Sequence, residues 1–133
     1  MGVNSENASV LFPRLSIFNS ISNLSLVSVA QKSSEGRLDE MVLDFGATRL
    51  IVTANEEEDS MEVRTAQEIN TAGFDDVSQS DPWNTFVGKK FGWGWLTINH
   101  LGYWDGLVLG FGVPAPQIML HVTASSIKIA VIG

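Results

Sequence analysis

The chain has 133 residues, 44% of them apolar and 17% charged, with no cysteine and a formal net charge of −7. That length suits one domain burying roughly two-thirds of the surface its unfolded chain exposes, and the lack of cysteine excludes disulfides, thiolate metal sites and cysteine nucleophiles. Eight Lys/Arg residues spread thinly against 15 Asp/Glu leave no basic patch to neutralise phosphates, which argues against nucleic acid as a partner, and no apolar run approaches the roughly 18 residues of a membrane span.

In chain order, residues 1–9 are polar and small, a composition expected to fray. Pro13 suits the first turn of a helix, where no amide partner is lost, and Leu15, Phe18 and Ile21 recur near helical spacing. These residues predict a short helix over 13–22. From Leu24 to Gln31 the pattern changes to alternation against serines, which predicts a strand. Ser33-Ser34-Glu35-Gly36 supplies a turn. Strands follow at Leu38–Phe45, Arg49–Ala54 and Met61–Thr65, the last after the acidic run Glu56-Glu57-Glu58-Asp59, which suits a solvated hairpin tip. Residues 67–80 are polar without a period and read as a linker. Asp81-Pro82 has the look of an N-cap and first-turn proline for a helix over 82–87 ended by Gly88. Strands are then expected at Lys90–Ile98, Tyr103–Phe111, Gln117–Thr123 and Ser126–Ile132.

The chain resembles itself. Between Gly36–Gly46 and Gly102–Gly112, at an offset of 66 residues, six of eleven positions are identical, and Leu50–Ala54 matches Leu120–Ala124 at four of five. We therefore read one domain over 1–133 made of two pseudo-repeats, about 10–66 and 80–133, joined by the linker 67–80. Each repeat is a short helix plus a four-stranded antiparallel meander. The fold class is mainly β (α+β) and pseudo-two-fold, arranged as a sandwich, a barrel or one continuous sheet, because neither meander buries its apolar face alone. The two halves differ in charge: residues 1–66 hold five Lys/Arg against ten Asp/Glu, and residues 67–133 hold three against five.

Chemistry-bearing residues are few. Asp39 and Asp105 occupy equivalent places in the repeats, where two carboxylates near an axis could share a proton or a cation; a carboxylate so close after a turn glycine also commonly accepts local hydrogen bonds. Trp93, Trp95 and Trp104 are three of the four tryptophans. Trp93, Trp95, Thr97 and Asn99 share one face of a strand whose other face is bared at one end by Gly92 and Gly94. Core packing is the expected role of these rings, and an exposed one would instead mark a partner surface. His100 lies in a turn and His121 in a strand, without the spacing of a metal site. No cofactor motif is present.

The block Gly92-Trp93-Gly94-Trp95, then Asn99, then Gly102-Tyr103-Trp104-Asp105-Gly106, resembles small uncharacterised bacterial proteins in which an aromatic strand, an Asn-to-Gly-Tyr turn and an Asp-Gly strand start recur. The resemblance spans about residues 87–111 and brings no established activity or functional residues. Some small acidic bacterial families of this general kind are immunity or accessory proteins, which implies a partner-binding role.

The sequence thus points to a non-enzymatic cytoplasmic protein that binds another protein, a basic one being favoured by its charge, through an acidic or aromatic surface drawn from Trp93, Trp95, Trp104, His100, Asp39 and Asp105. Two alternatives stand beside it. One is a small-molecule binder or enzyme with a pocket between the repeats. The other is a self-associating dimer.

Overall fold

The alternation of apolar and polar side chains places one row of each strand inward, and two stacked sheets result. The computed structural model describes residues 14–132; the expectations for residues 1–9 and Pro13 lie outside them. Strands β1 (Ser28–Ser34), β2 (Arg37–Asp44), β3 (Arg49–Asn55) and β4 (Ser60–Ala66) form an antiparallel meander, and β5 (Asp75–Asp76) pairs with β1 to give the order β4-β3-β2-β1-β5. Strands β6 (Phe91–Ile98), β7 (Trp104–Phe111), β8 (Ile118–Thr123) and β9 (Ser126–Val131) form a second meander in the order β6-β7-β8-β9. The arrangement is a sandwich: β4 lies over β7 and β8, and β2 and β3 lie over β9.

The core is the contact between the two inner faces. Met41, Leu43, Leu50 and Val52 from the first sheet meet Leu107, Leu109, Ile118 and Leu120 from the second, all fully buried. Each such side chain contributes about 1.5–3 kcal/mol relative to exposure.

Two helices close the sandwich. In α1 (Ile17–Ile21) and α2 (Trp83–Phe86), the buried residues are Phe18 and Ile21, and Trp83 and Phe86. Phe91 is the hub where α1 and both sheets meet: its ring stacks on Phe18 at 5.7 Å and meets Phe45 and Phe111 edge-on at 6.3 and 6.2 Å. Aromatic pairs of this geometry add about 0.5–1.5 kcal/mol beyond burial. Asp81 does not cap α2 as its sequence suggests. The N-cap is Pro82, and the Asn84 amide donates to the Ser80 carbonyl at 3.0 Å, so a backbone oxygen takes the amide that a capping carboxylate would have used.

The lead-in to each meander pairs with the other. Asn23 and Leu26 amides donate to the carbonyls of Phe91 and Lys89, and the amides of Phe91 and Gly88 donate back to Leu24 and Leu26. This short antiparallel ladder ties the two sheets together at one end.

The polar linker is more structured than its composition suggests. It supplies β5, and the buried Ser78 takes the Val29 amide on its hydroxyl at 2.8 Å, while the Val77 amide donates to the Val29 carbonyl. Ile69, Thr71 and Phe74 stand over the outer face of the first sheet, bounding a cleft of about 300 Å³ whose floor includes Ala30 and Val42. The Arg49 guanidinium holds the start of this crossing by donating to the Gln67 carbonyl.

Candidate functional site

Bulges decide where the side chains singled out in the sequence are placed. Between β1 and β2 the register steps from Lys32↔Glu40 to Ser33↔Leu38, so Asp39 is the extra residue. Between β6 and β7 it steps from Thr97↔Gly106 to Ile98↔Trp104, so Asp105 is the extra residue there. A bulge leaves its extra residue out of the ladder and turns the strand more tightly. Each carboxylate accepts a hydroxyl from the preceding strand: Asp39 from Ser34, and Asp105 from Thr97 at 2.8 Å. Beside the first bulge, the Leu38 amide donates across the sandwich to Ser126 Oγ at 3.0 Å. The two aspartates thus serve their own bulges. No group of three or more His, Cys, Asp or Glu able to hold a metal exists among the described residues.

A third bulge explains the tryptophans. Phe91 pairs with Phe111 and Trp93 with Gly110, which leaves Gly92 as the extra residue of β6. The phase therefore changes: Phe91 is buried at 1% exposure, while Trp93, two residues on, is 53% exposed. Gly94 faces inward, where a Cβ would lie under 3 Å from the Phe18 ring. The expected core role of the tryptophan cluster is accordingly corrected. α1 fills the inner space beside β6, so that side must be bare, and Trp93 and Trp95 stand on the outer face of the second sheet. There Trp95 heads a cross-strand row with Val108, Met119 and Ala130. The tryptophan that does enter the core is Trp83, at 1% exposure.

Trp104 belongs to a different place. The β6–β7 turn is organised by Asn99, whose side-chain oxygen accepts the amides of Leu101 and Tyr103 at 2.9 and 3.2 Å, with Gly102 at a positive φ of 91°. This presents His100, Leu101 and Tyr103 to solvent and brings Tyr103 and Trp104 against the β3–β4 hairpin. A groove of about 230 Å³ lies between them, lined by Tyr103 and Trp104 on one side and Asn55, Glu58 and Glu62 on the other. Trp104 is also the inner wall, bounding a void of about 20 Å³ with Ile17, Met61 and Leu96. The Arg14 guanidinium lies over its ring, 5.0 Å from the centroid.

The hairpin opposite is held in place. The Ser125 amide donates to Asp59 Oδ1 at 2.7 Å, the Ser125 hydroxyl donates to the Glu56 carbonyl at 3.1 Å, and Arg37 pairs with Glu56 at 3.0 Å. Residues 56–59 remain exposed as expected of a hairpin tip, but docked on the β8–β9 turn.

The structure therefore separates the six sequence candidates. Trp93 and Trp95 occupy the outer sheet face, Trp104 and His100 the groove end, and Asp39 and Asp105 their bulges. His121 meets the Thr123 hydroxyl at 3.0 Å and joins none of them. Glu58, Glu62 and Arg14 complete the groove and were not selected from sequence, because they lie 40 or more residues from Trp104 and share no spacing with it.

Taken together, the fold and groove define a small antiparallel β-sandwich with an acidic and aromatic cleft between its two meanders. The chain belongs to a family of unknown function, DUF6334, whose model matches residues 15–133. Comparison with curated proteins and with solved structures finds no match. No helix among the described residues is long and apolar enough to cross a membrane.

Proposed function

We propose that this is a non-enzymatic cytoplasmic binding protein of the immunity or accessory kind found among small acidic bacterial proteins, and that it recognises a basic partner protein at the groove end. The observation that carries this reading is the pairing of an aromatic wall, Tyr103 and Trp104, with the acidic hairpin residue Glu58 across one cleft, whose edge Glu62 also lines. Tyr103 in the groove is partly exposed, and Ile98 and Leu101 are exposed at the β6–β7 turn that carries it. Apolar anchors ringed by charge of one sign are what protein recognition uses: the anchors supply affinity and the charge supplies steering and register. The chain's net charge of −7 works in the same direction.

A synthetic basic peptide of about ten residues, compared with its glutamine-substituted counterpart by titration calorimetry, tests the reading. Binding of the basic peptide only, weakened several-fold between low and physiological salt and lost in Tyr103→Ala, is expected. Equal binding of the neutral peptide, or insensitivity to salt, counts against it.

The outer face of the second sheet favours a second reading, self-association. The first sheet's outer face is crossed by residues 69–76, whereas Trp93 on the second is 53% exposed beside the row of Trp95, Val108 and Met119. A C₂ dimer stacked on this face would sediment as a dimer that Trp93→Lys dissociates.

A further inference from the structure

We infer that the group recognised in the groove is a guanidinium, and that Arg14 occupies its place in the free protein. The inference rests on the reading of the groove as the contact for a basic partner and names the chemistry that contact takes. Arg14 is exposed, and its guanidinium carbon sits 5.0 Å from the Trp104 ring centroid. Among the described residues it makes no ion pair within 4.0 Å, although Glu58 and Glu62 line the same cleft. Among the described residues, stacking on the indole is what holds it. Glu62 is likewise without an ion pair among the described residues, and Glu58 accepts only the Ser60 hydroxyl, at 3.2 Å. One wall is therefore a ring face that already carries a guanidinium, and the opposite wall includes Glu58, which pairs with no cation among the described residues.

That combination suits arginine over lysine. A guanidinium is flat and weakly hydrated, so it stacks on an indole while its edge donors point outward to carboxylates. An ammonium keeps its hydration and presents no plane to stack. The groove's volume of about 230 Å³ admits a side chain of that size once the Trp104 face is free. An arginine delivered by a partner gains both the ring and Glu58, whereas Arg14 among the described residues meets only the ring. Arg14 is then a weak internal competitor, and its positive charge further opposes an incoming cation. Affinity measured on the native chain is lowered by the fraction of molecules in which Arg14 covers the ring.

The experiment follows the indole N–H of Trp104 by NMR in the full chain at low salt, titrated with N-acetyl-arginine amide, its lysine analogue and its uncharged citrulline analogue. The expected result is a saturable shift with the arginine compound, binding at least about fivefold weaker with lysine, and none with citrulline. Arg14→Ala should tighten arginine binding by about three- to tenfold, and Glu58→Gln, an exposed change that leaves the core untouched, should weaken it several-fold. Equal affinity for arginine and lysine overturns the guanidinium assignment while leaving a basic partner in place. Unchanged or weaker arginine binding in Arg14→Ala overturns the internal competition. If neither cation shifts Trp104 in the native chain or in Arg14→Ala, the groove is not a cation site and the basic-partner reading falls with it.

Discussion

Asp39 and Asp105, 66 residues apart, are each the extra residue of a bulge, and each accepts a hydroxyl from the strand before it, Ser34 for the one and Thr97 for the other. Their shared position in the two halves is explained by strand bending: the carboxylate satisfies a hydroxyl where the ladder is interrupted.

Thr97→Val should therefore destabilise the chain by about 1–2 kcal/mol, because it removes a hydrogen bond to a charged, partly buried group while keeping the side-chain shape. Urea denaturation checks this, with a lowered midpoint and an unchanged slope. Function at the groove should persist, since Thr97 does not line it.

Gly94 has no room for a side chain. Its Cβ would lie under 3 Å from three atoms of the Phe18 ring, so Gly94→Ala should cost about 1–3 kcal/mol through overpacking. Adding Phe18→Leu should make the two changes non-additive, since the clash is shared. Strict additivity in a double-mutant cycle would show that the helix does not rest on this glycine.

Tryptophan emission should divide by position. Trp83, at 1% exposure, should give a blue-shifted component protected from acrylamide, and Trp93, at 53%, a red-shifted one open to it. Trp93→Phe should reduce the quenchable emission, leaving that of the half-buried Trp95 and Trp104, with thermal stability nearly unchanged. Trp83→Phe should remove the protected component and lower stability by about 1–3 kcal/mol.

Asp76 carries a pH dependence. Hydrogen bonding to Ser78, from its side chain and its amide, holds the Asp76 carboxyl below its ordinary value of 3.8. A carboxylate with a depressed folded-state pKa stabilises the fold above the unfolded value and loses that contribution as pH falls through the folded one. Amide hydrogen exchange at Val77 and Ser78 should therefore accelerate relative to the core only as pH drops below 3.8, and Asp76→Asn should remove that step.

Much of the architecture was legible from pattern. The expected strand Arg49–Ala54 becomes Arg49–Asn55, Ser126–Ile132 becomes Ser126–Val131, and the helix over 82–87 becomes Trp83–Phe86. These elements have local causes, namely period-two alternation, turn glycines and a proline. The linker was less legible, because β5 and the buried Ser78 exist only through β1. The groove was least legible. Trp104 was visible as an aromatic beside a turn, but Glu58, Glu62 and Arg14 reach it only when the β3–β4 hairpin and the chain ahead of α1 fold against the β6–β7 hairpin.

The sequence by itself determined which stretches alternate, where they turn and in what order they follow, because those properties depend on neighbours along the chain. Only the tertiary structure decided which face of β6 looks outward. Both of its faces are compatible with a core, since one carries tryptophans and the other glycines with Leu96. The choice falls to the bulge at Gly92, which needs β7 as its partner, and to Phe18, whose ring takes the space over Gly94. Contacts between residues far apart in the chain leave no period in the sequence, and they are what turned Trp93 to the surface and brought Trp104 opposite the acidic β3–β4 hairpin.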